Sequence, residues 1–335
     1  MQPKNIFLTG GAGFCGSLLT PQLLDKGYNV TVYDTLFFGD SFLPKSNPNL
    51  KIVQGDIRDT KKLAEAVKGH DAFISLACIS NDASFELDEN LSTSINLDAF
   101  EPMVRAAKDA GVKRFVYASS SSVYGVSESP DVTEDHPLVP VSLYNKYKGM
   151  CEPILNSFAD DNFTVVTFRP ATVCGYAPRL RLDLSVNILT NHAITNNKIT
   201  VFGGSQLRPN LHIKDYCAAV QLLLTAPSEK VQKEIFNVGF QNMSIMDIAL
   251  LVKSVVEKEF PEKAPIGLVT TPSDDIRSYH INSDKIARVL GFAPQHTIED
   301  AVRDLCQAFR EGKIPESMAN DNYYNIRTIK KLGLK

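Results

Sequence analysis

The stretch Leu8-Thr9-Gly10-Gly11-Ala12-Gly13-Phe14-Cys15-Gly16-Ser17 decides the fold. It sets a cluster of small residues directly after the apolar run Ile6-Phe7-Leu8, where each glycine loses the most backbone freedom on folding. A ligand that must touch the backbone itself justifies that loss. Gly10, Gly13 and Gly16 fall at a G-x-x-G-x-x-G spacing between a predicted strand, residues 4 to 9, and a predicted helix, residues 13 to 26. In that setting the turn is tight and the backbone approaches a pyrophosphate. The helix N-terminus adds unpaired N–H groups and a partial positive charge.

Working outward, residues 29 to 34 ("NVTVYD") alternate as a second strand and complete a βαβ unit. That strand ends at Asp34, about the distance expected for the acid that binds the adenosine ribose hydroxyls. A carboxylate there repels a 2′-phosphate, and Thr35-Leu36-Phe37 offers no arginine to accept one, so the pattern favours NAD over NADP. A glycine-rich turn beside a surface aspartate would contain the same residues. Asp56-Ile57, after the strand "NLKIVQGD", is placed to cap an adenine, although "GDIRD" also suits a loop entering a helix. Helices are expected at 60 to 68, 91 to 110 and 143 to 159, alternating with the strands "DAFISLA", "KRFVYASS" and "FTVVTFRP".

This alternation predicts an α/β fold, a Rossmann-like doubly wound parallel sheet with helices on both faces. After Pro170 the pattern loosens, with Pro and Gly punctuation around "GYAPRLRLD" and "VFGGSQLRPN". We therefore expect a dinucleotide-binding domain over residues 1–170 plus about 212–240. A smaller, partly discontinuous α/β domain for the substrate takes about 171–211 and 241–335, over the carboxyl ends of the strands.

Composition narrows the functional classes. The chain has 335 residues, 44% apolar and 22% charged, with a formal charge of −3. That is the profile of an ordinary globular protein, without the basic field that nucleic acid requires. The polar start Gln2-Pro3-Lys4-Asn5 and the short apolar run after it suit neither a signal peptide nor a membrane span, so a cytoplasmic location is expected. Six cysteines (Cys15, Cys78, Cys151, Cys174, Cys217, Cys306) and six histidines are scattered without Cys-x-x-Cys or ligand spacing. Packing thiols are expected, and no metal.

Tyr144 and Lys148, in "LYNKYKG", lie four residues apart at the start of a predicted helix and project from one face. A cationic lysine favours the phenolate of a neighbouring tyrosine and moves it toward service as a general base. Alone, such a pair is common on helix surfaces. Here "FVYASSSSVYG" also puts Ser119 to Ser122 at the carboxyl end of a strand, where open α/β sheets bind ligands.

Taken together, "TGGAGFCG", "GDIRD", "SSSSVYG", Tyr144-x-x-x-Lys148, "FRPATVCG", "RPNLHIKD" and "FNVG" occur in the order of a known family. The sequence resembles the extended short-chain dehydrogenase/reductases, and within them the nucleotide-sugar epimerases and dehydratases. The resemblance covers nearly the whole chain. It implies Tyr144 as proton acceptor, Lys148 as the ribose-binding residue that tunes it, and Ser120 as the hydroxyl partner. It further implies NAD as cofactor, a nucleotide sugar as substrate, and hydride transfer between the sugar C4 and the nicotinamide. The cofactor contacts expected are Gly10, Gly13, Phe14, Cys15, Gly16, Asp34, Asp56, Ile57, Leu76, Ala77, Tyr144, Lys148 and Pro170. Arg208, before "LHIKD", is expected on the nucleotide diphosphate, with Arg277 in "DDIRSY" as a second contact. Asn187 is a weaker candidate for the same diphosphate, since a helix-surface asparagine would look alike. Asn81 and Asp82 either face the sugar or begin the next helix; Ser121 completes the expected substrate contacts.

Sugar dehydratases of this family carry an acid pair after the Ser/Thr, because loss of water needs a proton donor and a base. Here Ser121 and Ser122 occupy those positions, which disfavours 4,6-dehydration. The expectation is a nucleotide-sugar 4-epimerase working through a transient 4-keto sugar. The alternatives are a 4-dehydrogenase or ketosugar reductase, a non-catalytic dinucleotide-binding protein, and a reductase of lipid-like or phenolic substrates. The helices expected near residues 91 to 110 and 143 to 159 resemble those that pair in the family's dimers, and a homodimer is expected, although their apolar faces would equally suit internal packing.

Overall fold

The computed structural model describes residues 3–80, 87–273 and 278–332. Among these residues the strands are β1 (Asn5–Thr9), β2 (Asn29–Asp34), β3 (Leu50–Gln54), β4 (Ala72–Ser75), β5 (Arg114–Ala118), β6 (Thr164–Pro170), β7 (Thr172–Cys174), β8 (Lys198–Phe202), β9 (Leu207–His212), β10 (Glu234–Val238), β11 (Gln241–Ser244) and β12 (Gly267–Thr271). Seven of them form one parallel sheet in the order β10-β6-β5-β4-β1-β2-β3. The order reverses between β1, which pairs Ile6 with Val30 of β2, and β4, which pairs Ala72 with the same Ile6. Such a switch point opens a crevice at the carboxyl ends of the strands.

The sheet is buried on both faces, which explains its near-continuous apolar strands. Side chains alternate across β1: Ile6 and Leu8 join Leu19, Leu23 and Val220 on one face, while Phe7 joins the opposite face. There Phe7, Phe73 and Phe115 form an aromatic row across β1, β4 and β5, with ring centroids 5.1 and 4.6 Å apart. Aromatic pairs at such spacings add to the stabilisation from buried area. The row fixes the register of the strands whose far ends build the crevice.

Beyond β6 the chain leaves this sheet. Strands β11-β9-β7 form a small mixed sheet, β12 pairs with β8, and β10 returns to the edge of the large sheet beside β6. Helices Ser185–Asn196, Ile245–Glu259 and Ile298–Arg310 close a separate core of Val186, Leu189, Ile248, Val252 and Val302. A capping box between Thr297 and Asp300 starts the last of these helices. No helix among the described residues is long and apolar enough to cross a membrane.

One expected element differs. The single helix predicted from 91 to 110 consists of a short α-helix, Glu89–Thr93, a π turn, Ser94–Asp98, and a second α-helix, Phe100–Asp109. The cause is Asn96, whose buried amide accepts from the Ile79 N–H at 2.9 Å and donates to the Ile79 carbonyl at 2.8 Å. Holding that side chain on the loop after β4 displaces the helical ladder by one residue.

Candidate active site

At the carboxyl end of β1, backbone conformation and close packing dictate the glycines. Gly10 has φ +74°, and a Cβ there would lie 2.7 Å from the Ala77 nitrogen. A Cβ on Gly16 would meet the Gly10 carbonyl oxygen at 2.3 Å. Both positions therefore accept only glycine. The helix Phe14–Asp25 that follows begins at Gly13 with no side-chain cap, so its first N–H groups face the crevice as an anion cradle. The residues present fit a diphosphate.

The crevice is a cleft of about 360 Å³, inside the range of roughly 300–1,000 Å³ typical for small-molecule sites. Gly10, Gly13, Phe14, Cys15, Gly16, Asp34, Asp56, Ile57, Leu76, Ala77, Tyr144, Lys148 and Pro170 all line it. Asp34 accepts the Ala12 N–H on Oδ2 at 3.0 Å and the Leu36 N–H on Oδ1 at 2.9 Å. Each oxygen keeps a lone pair for a ligand hydroxyl. Burial raises the Asp34 pKa and these backbone donors act against it. Asp56 is held by Arg58 at 2.7 Å, and its carbonyl accepts the Tyr33 hydroxyl. Burial pushes the Cys15 thiol up to about 12, so it stays protonated and packs rather than reacts.

Tyr144 sits in the first turn of the helix Leu143–Ser157, which Ser142 caps by accepting the Asn145 N–H. Lys148 follows one turn later, 5% exposed, with Nζ donating to the Ala118 carbonyl at 2.8 Å and lying 5.1 Å from the Tyr117 ring centre. That bond ties the helix to the end of β5. Ser120 caps the 3-10 turn Ser121–Tyr124 and bonds the Ser122 hydroxyl at 2.7 Å, while Ser122 donates to Asn145. Ser119, Ser120, Ser121 and Ser122 all line the cleft.

Beneath them lies a closed polar network. Glu152 accepts Ser119 Oγ at 2.6 Å on Oε1, and Arg169 Nη2 at 2.6 Å on Oε2. Arg169 also donates to the Tyr124 hydroxyl at 2.7 Å, which in turn donates to Asn237. The network joins β5, β6, β10 and the Tyr144 helix, and so fixes the serine turn against that helix.

The expected substrate contacts divide. Ser120 and Ser121 line the cleft; Asn81, Asp82 and Arg277 lie outside the described residues. Asn187 does not line it. Fully buried, its amide accepts the Gly175 N–H at 2.9 Å and donates to the carbonyls of Gly175 and Arg181. It braces the 175–181 loop from behind, because a helix enclosed by its own domain needs its polar side chains to serve neighbouring backbone. Arg208 lies on β9, with its guanidinium 5.3 Å from the ring centre of Tyr279, a residue that lines the cleft.

Sequence reasoning passed over Arg179, Arg181, Phe38 and Asn325, which line the same cleft. The signal was present in residues 178–183, "PRLRLD", where arginines alternate with Leu180 and Leu182, both buried. Charges interleaved with core residues on a short loop face something other than bulk water.

Comparison with known proteins bears on the fold and the family. The chain is 28% identical over 327 residues to a UDP-glucose 4-epimerase of Lactobacillus helveticus, covering 89% of this chain and 94% of the relative. It is 29% identical over 326 residues to a dTDP-D-glucose 4,6-dehydratase of Mus musculus, covering 92% and 89%. Its fold matches the crystal structure of a dTDP-glucose 4,6-dehydratase from Streptomyces venezuelae with NAD bound, at TM-score 0.81, 24% identity, 92% of this chain and 98% of the other. Residues 6–239 match the model of the NAD dependent epimerase/dehydratase family, and the chain belongs to that family of NAD-dependent enzymes.

Proposed function

We propose that this enzyme oxidises a nucleotide sugar at C4 and returns the hydride to the opposite face of the keto-sugar, as a 4-epimerase. The observation that carries the reading is the convergence of Tyr144, Lys148 and Ser120 on the cleft that holds the glycine turn. Ser120 holds the 4-hydroxyl and Tyr144 removes its proton as the C4–H bond breaks. Lys148, anchored on Ala118, sets the orientation of the tyrosine's helix and supplies the positive charge that favours the phenolate. The glycine turn and Asp34 would hold NAD, whose nicotinamide would supply the reversible hydride acceptor for C4.

Among the described residues of the cleft the carboxylates are Asp34 and Asp56, at the ends of β2 and β3. They belong to the adenosine end, and Ser121 and Ser122 flank the reacting end. Two hydroxyls serve poorly as the acid and base that loss of water demands, which supports oxidation without dehydration. Arg208, behind Tyr279, is assigned to the nucleotide diphosphate, and a homodimer through the Phe100–Asp109 and Leu143–Ser157 helices completes the reading.

The test incubates the purified enzyme with a panel of nucleotide sugars and follows both NADH absorbance and configuration at C4. Inversion without net NADH is expected; accumulation of NADH would reassign it as a 4-dehydrogenase. Tyr144→Phe should keep bound NAD and lose turnover by roughly 10²- to 10⁴-fold. Turnover unchanged in that variant removes the assignment of the base.

A further inference from the structure

The wall of the cleft carries a buried positive charge that, among the described residues, no carboxylate meets at ion-pair distance; Asp183 and Asp34 act on it only from further away. Arg179 is 4% exposed, and among the described residues its side chain donates to a neutral amide rather than to a carboxylate. Its Nη2 donates to the neutral Asn325 side chain at 2.6 Å, its Nε has no partner, and the guanidinium lies 3.5 Å from the ring centre of Phe38. Arg181, two residues on, reaches Asp183 at 2.9 Å and Ser80 at 3.0 Å, and leaves its buried Nη2 without a partner. Burial, and then the charge of Arg181, pull the Arg179 pKa down to about 9. It remains protonated at neutral pH.

A buried ion without a counter-ion costs several kcal/mol. An arrangement of that kind persists where a ligand completes it. The position identifies the ligand group. The Arg179 N–H bonds Ser17 Oγ at 3.1 Å, in the first turn of the helix whose N-terminus faces the cleft. Both arginine charges act on Cys15 in that same turn. Two cations therefore face the positive end of a helix. Among the described residues of the cleft, the carboxylates are Asp34, which holds backbone N–H groups and acts on Arg179 only through its charge, and Asp56, which is paired to Arg58.

We propose that Arg179, with Arg181 beside it and Asn325 bracing it, forms a second clamp on the diphosphate of the dinucleotide, next to the helix that follows the glycine turn. The guanidinium supplies charge-assisted hydrogen bonds to phosphate oxygens, and the clamp retains NAD on the enzyme between turnovers. Phe38 and Asp34 place the clamp at the adenosine side of the cofactor. A diphosphate from the substrate is the other source of the same chemistry. The proposal is independent of which reaction occurs at the sugar.

The test compares wild type, Arg179→Met and Arg179→Lys by calorimetric titration with NAD, ADP and nucleoside diphosphates (UDP, GDP, dTDP), together with melting of the NAD-free proteins. Arg179→Met should weaken NAD and ADP by about 10- to 100-fold, the scale of a hydrogen bond to a charged group. Its NAD-free form should melt no lower than wild type, since an unpaired buried charge has been removed. Arg179→Lys should fall between, because an ammonium lacks the planar fork. NAD affinity should also depend less steeply on salt in Arg179→Met. A lower melting temperature of the NAD-free variant with unchanged NAD affinity makes Arg179 a structural strut and overturns the proposal. So does a loss confined to the pyrimidine and guanosine diphosphates, which would hand the clamp to the substrate.

Discussion

Arg169 and Arg179 are equally buried, 3% and 4% exposed; Arg179 lines the cleft, and Arg169 shares Glu152 with Ser119, a residue of its lining. Arg169 is closed within the protein: Glu152 meets it with both carboxylate oxygens and Tyr124 takes a third donor. Burial alone would lower its pKa, but the bonds and charge of Glu152 outweigh burial and raise it. Arg179 has a neutral amide and an aromatic face instead, and its pKa falls. Burial therefore says little about the role of a charged residue. Whether its charge is balanced by the chain or left for a ligand separates scaffold from site.

The largest effect expected from this contrast comes from opening the closed side. Glu152→Ala strands the Arg169 guanidinium in the core and should cost about 3–5 kcal/mol of stability, measured by urea unfolding. Replacing both members by methionine should cost far less, since no buried charge then remains. If the single and double variants lose the same stability, the pair is not acting as a closed unit and the contrast with Arg179 fails.

A smaller effect closes the open side. Asn325→Asp would give Arg179 the counter-charge it lacks, at the 2.6 Å contact already in place. The difference between a neutral and a charged partner amounts to about 1 kcal/mol, so the NAD-free protein should melt higher and bind NAD more weakly. The neighbouring Asp183, which accepts the Asn325 N–H, is itself paired to Arg181. Tighter NAD binding by Asn325→Asp would show that the cation of Arg179 is not directed at phosphate.

These regions also differ in how far the sequence disclosed them. The glycine spacing, the alternating strands and Tyr144-x-x-x-Lys148 are local patterns, and local patterns dictate where β1, the Phe14–Asp25 helix and the helix carrying Tyr144 and Lys148 lie. Partners brought together over long distances left no such mark. Asn187 resembled a surface asparagine because Asn191 and Thr190, also fully buried, give its helix a polar composition. Asn96 distorts a helix through a bond to Ile79, seventeen residues away in sequence. Arg179 depends on Asn325, 146 residues further along. Residue type and spacing carry no information about whether a charge finds its counterpart across such a gap.

His70 shows a third way to bury a basic group, which is to discharge it. Its Nδ1 meets the Val67 carbonyl at 2.9 Å and its Nε2 the Thr31 hydroxyl at 2.8 Å, at the edge of the aromatic row where its ring packs on Phe7. Burial lowers its pKa below 6.5 in the folded protein. Below that value the unfolded chain binds a proton that the folded chain resists, so this contribution is complete above pH 6.5 and declines as pH falls toward the folded pKa. Arginine has no such escape, which is why Arg169 needs Glu152 and Arg179 needs a ligand. Melting temperatures between pH 8 and 5 should therefore fall less steeply for His70→Gln than for wild type, by the smallest margin of the effects described. An identical slope in the two proteins would mean that His70 accepts its proton in place, and that burial at this edge is too shallow to separate charged from discharged groups.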